Sequence, residues 1–223
     1  MTLPKKKEES YSNWRKVLNT LFPGEMGARR FRQLQLLEVD VEGIRKRQEG
    51  EKSRQNLFMG EQKRLNINLL NAVVNGNVET AKCLIEKGAE VNAKDNDGWT
   101  PLIMAARSGH IETAKFFVDN GAEVNAKDND GWTSLIWAVW FGHTETAKLL
   151  IENGAEVNAK DNFGRTPLIW AASNGHTEAA KCLIEKGADP NIKLNNGKSA
   201  LDLADNDKIK RLLKEAMETS KKK

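Results

Sequence analysis

A repeat of 33 residues is the feature of the sequence that most constrains its fold. Residues 97–129 and 130–162 match at 23 of 33 positions without a gap. Residues 163–195 continue the pattern in the same frame, and partial copies lie before and after these three. A period of this length is typical of stacked supersecondary units, which bury their cores against their neighbours. The sequence therefore predicts a stacked array of similar units.

Each full copy carries signals for two short helices and a tight turn. Thr100-Pro101 favours a helix start, because Thr caps the first turn and Pro lacks an N–H that this turn leaves free. Gly109 ends that helix, and apolar spacing predicts a second helix over 111–119. Asn129-Asp130-Gly131 indicates a hairpin-like turn, which we call a finger, between successive copies.

Three motifs recur with the period and resemble those of the ankyrin repeat family. They are TPLIMA, TSLIWA and TPLIWA from Thr100, Thr133 and Thr166, Gly-His at 109–110, 142–143 and 175–176, and GAEVNA-like runs from Gly88, Gly121, Gly154 and Gly187. The family's usual His after Thr-Pro-Leu is Ile at positions 103, 136 and 169, which we expect to leave the fold intact. The resemblance implies an all-α solenoid of helix–turn–helix units with short β-hairpin fingers, preceded here by an N-terminal helical extension.

The resemblance covers roughly residues 64–217 and divides the chain into three parts. The predicted parts are a basic N-terminal helical extension and linker (1–63), the repeat domain (64–217) and a basic tail (218–223). Within the repeat domain, the predicted units are an N-terminal cap (64–96), three full copies (97–129, 130–162 and 163–195) and a C-terminal cap (196–217). Residues 1–63 hold 14 Lys and Arg against 9 Asp and Glu, a balance of +5, which leaves 21 against 22 for the rest. We therefore do not expect nonspecific nucleic-acid binding by the repeat domain.

The N-terminal segment has no detectable repeat. Ser12–Leu21 and the apolar spacing over 31–44 each suit an amphipathic helix, whereas the charged residues 45–56 indicate a flexible or exposed linker. We interpret the segment as an element that packs on the first repeat, or as a partly disordered arm. Three alternatives stay open: a second partner contact, a basic address at Lys5–Lys7 and Arg45–Arg47, and RNA or DNA contact through Arg29, Arg30 and Arg32.

The composition and the first ten residues indicate the cellular compartment of the protein. The sequence holds no run of about 18 apolar residues, so no membrane span is expected. Residues 1–10 are charged where a signal peptide needs an apolar core. We expect an intracellular, cytoplasmic protein, with the nucleus and export as a secreted effector left open.

The histidines and cysteines occupy repeated positions, which argues against shared sites. His110, His143 and His176 are 33 residues apart, so one zinc ion cannot collect them, and we expect each to form a hydrogen bond at a helix junction. Cys83 and Cys182 are three copies apart, too far for a disulfide. We expect both to be buried and reduced.

The sequence holds no pattern that calls for catalysis. It lacks a G-x-x-x-x-G-K-[ST], a G-x-S-x-G and an H-E-x-x-H motif. We expect a non-catalytic monomer with no cofactor, no metal and no small-molecule substrate. An alternative is that residues 1–63 contribute to a larger catalytic assembly.

The copies diverge on one side of the predicted unit. The first two full copies differ at ten positions, and five of these lie in the first helix. In the ankyrin family, first helices and fingers line a concave face that binds partners. Trp140 and Phe141 are predicted to be exposed because the equivalent residues in the flanking copies are polar. Exposed aromatic clusters mark binding sites.

These observations predict a module that binds a partner protein or peptide through its concave aromatic face. The predicted partner-binding residues are Trp99, Arg107, Trp132, Trp137, Trp140, Phe141, Arg165, Trp170 and Asn174. One alternative is a methyl-lysine reader, because Trp132, Trp137 and Trp170 resemble the aromatic cage in the ankyrin domain of euchromatic histone methyltransferases, although the acidic cage residue of that reader is replaced by Trp140. Another alternative is a scaffold or inhibitor that masks another protein's surface.

Overall fold

A computed structural model describes residues 41–220, with side chains from residue 46, and contains ten helices in that range. They are α1 (Val41–Val74), α2 (Val78–Glu86), α3 (Pro101–Ser108), α4 (Ile111–Asp119), α5 (Ser134–Trp140), α6 (Thr144–Glu152), α7 (Pro167–Ser173), α8 (Thr177–Glu185), α9 (Ala200–Leu203) and α10 (Asp207–Ser220). No extended strand occurs over 41–220, where isolated bridges join Lys127 to Thr133 and Lys193 to Ser199. The predicted all-α ankyrin-repeat solenoid is confirmed, but over residues 41–220 only two of its four fingers keep a β-bridge, one bridge in each.

The first helix of each full copy begins at a threonine, as the sequence predicts. The hydroxyl of Thr100 accepts from the backbone N–H of Ile103 at 3.2 Å, and Thr133 and Thr166 cap α5 and α7 in the same way. In the last unit, Ser199 and Asp202 form a reciprocal capping box at the start of α9. The threonine caps and the box satisfy N–H groups that helix starts leave unpaired.

A histidine joins each full copy to the unit before it. The Nε2 atom of His143 lies 3.2 Å from the carbonyl oxygen of Arg107, and His176 contacts the carbonyl of Trp140 at 3.0 Å. The ring of His143 also lies against Gly109, which has a φ of 71°. The predicted structural role of the histidines, hydrogen bonding at a helix junction, is therefore confirmed.

Stacked helices and backbone bonds build the core. First helices pack on first helices (α3 on α5, α5 on α7, α7 on α9) and second helices on second helices (α4 on α6, α6 on α8, α8 on α10). Asparagine amides add bonds between units: Asn125 Oδ1 accepts from the backbone N–H of Glu156 at 2.8 Å. The isoleucines that replace the family histidine are buried: Ile103, Ile136 and Ile169. They fill the core, so this departure from the family pattern is accommodated.

The N-terminal part of the described chain is helical. Contacts divide the chain at Gly60, which lies within α1. Residues 45–56, predicted to be a linker, are part of this helix, although residues 51–56 are exposed as expected. The predicted exposure is thus confirmed over residues 51–56, and the segment is helical because Glu, Lys, Arg and Gln favour helix and no Pro interrupts the run. Ser12–Leu21, residues 31–40 and Lys221–Lys223 lie outside the described residues.

The two cysteines lie in different surroundings. Cys182 on α8 is buried, and burial raises the pKa of its thiol. Cys83 on α2 is exposed, so the prediction that both are buried was wrong for this one. The reason is position in the array: α8 packs between α6 and α10, whereas α2 packs against α4 at the start of the stack. Cys83 and Cys182 therefore differ in solvent exposure although they occupy equivalent positions in their units.

Candidate partner-binding site

Aromatic side chains from three consecutive copies pack into one continuous group, which we call the aromatic cluster. Its members are Trp99, Trp132, Trp137, Trp140, Phe141 and Trp170. The Trp132 ring lies at the centre, with centroid distances of 4.5 Å to Trp137 and 4.9 Å to Trp170. Trp99 contacts Trp137 at 5.2 Å, and Trp140 contacts Trp170 at 4.4 Å. The structure thus brings together the tryptophans that the sequence assigns to the site.

A buried finger carboxylate anchors the cluster. Asp128 is 6% exposed, and its Oδ1 accepts from the backbone N–H groups of Trp132 at 2.8 Å and of Asp130 at 3.0 Å. Its Oδ2 accepts from the indole N–H of Trp137 at 2.8 Å. One side chain therefore fixes both the turn of the finger and the orientation of an indole on α5.

The cluster has a buried floor and an open edge. Trp132 and Trp170 are 9% and 8% exposed, because neighbouring copies cover them, whereas Phe141 is 44% exposed. Trp140 is half-buried, against the predicted exposure, because its ring packs on Trp132 and Trp170. The predicted exposure of Phe141 is confirmed. The open edge of the cluster therefore centres on Phe141.

Arg107 occupies an aromatic box on this edge. Its guanidinium carbon lies 5.1 Å from the centroid of Trp99, 5.4 Å from Phe141 and 5.7 Å from Trp137. These distances suit cation–π attraction, which stabilises a guanidinium that is partly removed from water. Its Nε atom is buried and has no hydrogen-bond partner within the described residues.

Arg165 lies on the opposite side of the cluster. Its guanidinium carbon is 4.1 Å from the centroid of Trp170 and 4.5 Å from that of Phe163. Its Nε donates to the buried Asp161 at 2.8 Å. Arg107 and Arg165 therefore flank the aromatic cluster, each stacked on at least two rings.

Asn174 serves the packing of the array. Its side-chain amide donates to the carbonyl oxygen of Trp140 at 3.1 Å, the same oxygen that His176 contacts. Asn174 is half-buried. The bond joins two successive units beside the site. Because 34 residues separate Asn174 from Trp140, no local sequence pattern predicts this contact.

Sequence models of ankyrin repeats match the chain, one of three copies over residues 69–161 and one of many copies over residues 141–184. The chain belongs to the ankyrin repeat family. Ankyrin repeats are generally protein–protein interaction modules and are typically non-catalytic. No curated protein sequence matches this ankyrin repeat protein. No helix within residues 41–220 is long and apolar enough to cross a membrane.

The geometry does not favour the methyl-lysine cage that the second resemblance implies. Of the three tryptophans in question, Trp132 and Trp170 expose little ring surface to an incoming ammonium ion. The third, Trp137, is already faced by the guanidinium of Arg107. In this ankyrin repeat protein, cations of its own chain occupy the ring faces that a methyl-lysine would need.

Phe163 is not among the predicted partner-binding residues, yet it is 59% exposed and stacks on Arg165. It occupies the finger position held by Asp97 and Asp130 in the two preceding copies. Comparison of all three copies, instead of the first two alone, reveals the exchange of an acidic residue for an aromatic one. Phe163 therefore adds a second exposed ring at Arg165, whose guanidinium also faces Trp170.

Proposed function

We propose that this ankyrin repeat protein binds a partner protein, without catalysis, through the concave side formed by its fingers and first helices. The observation that carries the proposal is the combination of a buried indole floor with two exposed phenylalanines, Phe141 and Phe163. Isolated exposed apolar residues are ordinary, but aromatic residues joined to a packed aromatic cluster form a rigid, preorganised surface.

The divergence between copies supports the same location. Phe141 stands where the flanking copies have Ser108 and Asn174, and Phe163 stands where they have Asp97 and Asp130. Polar residues at these places are compatible with the fold, since neighbouring copies contain them. Folding therefore gives no reason for the exposed phenylalanines, whereas a partner contact does.

The experiment uses variants in which a residue is replaced by its counterpart from another copy. Phe141→Asn and Phe163→Asp, combined in one chain, remove the open edge of the site and leave residues that the array accommodates elsewhere. Proteins from a lysate of the source cells are captured on the full-length wild type and on this double variant, and are quantified by mass spectrometry. A captured protein is then purified and titrated directly.

We expect a partner that binds the wild type and is lost from the double variant. The matched control is Phe116→Leu on α4, which adopts the residue of the next copy, Leu149, away from the fingers. Binding that survives the double variant with unchanged affinity, or that falls equally with Phe116→Leu, would refute the proposed site. Melting curves of all variants check that the array stays folded.

A further inference from the structure

Arg107 carries a charge that no carboxylate of the described residues neutralises. It forms no ion pair and no hydrogen bond through its side chain over residues 46–220, and three aromatic rings face its guanidinium. Its Nε is buried, while its terminal nitrogens are not among the buried unpartnered atoms and reach solvent. A partly desolvated guanidinium without a counter-charge is costly unless a ligand supplies an acceptor.

Only one of the hydrogen-bond donors of the Arg165 guanidinium has an acceptor within the described residues. Asp161 accepts from its Nε, and the side chain of Arg165 is 25% exposed. The terminal nitrogens of this guanidinium have no acceptor within the described residues, and the rings of Trp170 and Phe163 hold its plane in place. A guanidinium held in this way is preorganised to donate two parallel bonds to an incoming carboxylate.

The charge of the fingers changes along the array. Residues 94–99 and 127–132 each carry one Lys and two Asp, a balance of −1. Residues 160–165 carry one Lys, one Arg and one Asp, a balance of +1, and residues 193–198 carry two Lys, a balance of +2. The third and fourth fingers therefore attract an acidic ligand, and the first two disfavour it, which orients a charged segment along the site.

We infer that the partner segment bound at this site is acidic, with one carboxylate held by Arg107 and another by Arg165 and with apolar side chains on the neighbouring rings of Phe141 and Phe163. This inference rests on the proposed function and adds the chemistry of the ligand to it. Carboxylate is the group that matches both an unpaired guanidinium and a guanidinium with free terminal N–H groups. The exposed ring beside each arginine accounts for the apolar part of the segment.

The experiment selects peptides from a random 12-residue library displayed on phage, with the full-length protein as bait. Selected peptides are synthesised with a free or an amidated C-terminus, and their affinities are measured by fluorescence anisotropy. The two forms distinguish side-chain carboxylates from a terminal carboxylate. We expect selected peptides with an excess of Asp and Glu and with apolar residues between them.

The arginines are tested by exchanges that the array already contains elsewhere. Arg107→Ser adopts the residue at Ser173, and Arg165→Trp adopts the residue at Trp99 and Trp132. We expect each exchange to weaken the selected peptide by about tenfold or more, as for a residue that dominates an interface. The matched control is Lys115→Gln, which removes one exposed positive charge on α4 and should change affinity by less than about twofold.

The outcomes separate this inference from the proposed function. Peptides lost by Phe141→Asn but without an acidic excess, or unaffected by both arginine exchanges, would overturn the acidic ligand and leave the site standing. If no selected peptide depends on Phe141, both the inference and the proposed site fail. Acidic peptides that also depend on Arg107 and Arg165 support both.

Discussion

The indole nitrogen of Trp137 donates a 2.8 Å hydrogen bond to the carboxylate of Asp128, nine residues earlier in the chain. The same carboxylate accepts two backbone N–H groups within its finger, from Asp130 and Trp132. The finger and the first helix of this copy are therefore held by one buried acceptor. Removal of the Asp128 carboxylate would leave three N–H donors, from Asp130, Trp132 and Trp137, without their acceptor.

We expect Asp128→Ala to lower the free energy of unfolding by about 2–4 kcal/mol, since each buried donor left unpaired costs about 1–3 kcal/mol and part of this is recovered by water. Chemical denaturation measures it. The control is Asp95→Ala, whose carboxylate accepts the backbone N–H groups of Asp97 and Trp99 but no indole N–H within the described residues. Equal losses for the two variants would contradict a separate contribution from the indole bond.

Gly109→Ala should destabilise the array more than Gly121→Ala. Both glycines have positive φ, so each substitution carries about 1–2 kcal/mol of backbone strain. At Gly109 the added Cβ would also lie 2.6 Å from Nδ1 of His143, whereas at Gly121 nothing lies within 4 Å. Thermal melting of the two variants gives the difference. A lower melting temperature for Gly121→Ala than for Gly109→Ala would refute the contact.

Ser134→Pro should stabilise the protein by about 0.5–1 kcal/mol, because proline restricts the unfolded chain at a site already suited to it. Its neighbours have Pro101 and Pro167 at this position, and the preceding Thr133 has the extended backbone that proline requires (φ −94°, ψ 167°). The Ser134 hydroxyl is buried with no partner within the described residues, so its removal loses no bond.

Ser134→Ala is the control for the proline variant, since it removes the hydroxyl without restricting the backbone. Denaturation curves that place the proline variant at or below the alanine variant would show that α5 does not accept proline as α3 and α7 do.

Asp202→Asn should cost stability at neutral pH and cost less in acid. Hydrogen bonds from the backbone N–H and the hydroxyl of Ser199 hold the pKa of Asp202 below its usual value. A lowered folded-state pKa stabilises the fold above the unfolded pKa, and the gain is lost as pH falls through the folded value. Melting temperatures between pH 7 and pH 2 should therefore converge for the two proteins. A gap that stays constant over this range would exclude the charged capping box as its cause.

Repeated local signals made much of the fold predictable from sequence. The Thr caps, the Gly109 helix end and the helix over 111–119 each depend on short-range chemistry that recurs in every copy. For residues 45–56, charge predicted exposure, which residues 51–56 confirm, but charge alone does not distinguish a linker from an exposed helix. The predicted burial of Cys83 was wrong because Cys83 lies in the first unit, where fewer neighbouring helices cover it than cover Cys182.

The sequence predicted which residues form the site, but it did not predict which of their side chains are buried and which are exposed. Repeat spacing places Trp137 and Trp170 on equivalent positions, yet only the stacked copies show that Trp170 is covered and Phe141 is open. The aromatic box around Arg107 draws rings from two copies, so no local pattern in the sequence reveals it. Phe163 was within reach of sequence comparison, because it is the one finger position where an aromatic replaces Asp.

The histidine contacts give the array a direction, since each ring reaches back to a carbonyl of the copy before it. A copy inserted after residue 195 would place its histidine against a carbonyl of the copy before it. Its own carbonyls would face the closing unit, which has no histidine and joins the last full copy through the Asp205 backbone N–H and the Asn206 amide. The chain could thus be lengthened by whole 33-residue blocks after residue 195, next to the closing unit, while Arg107 and the tryptophans keep their neighbours. The length of the array can therefore change without any change in the residues of the binding site.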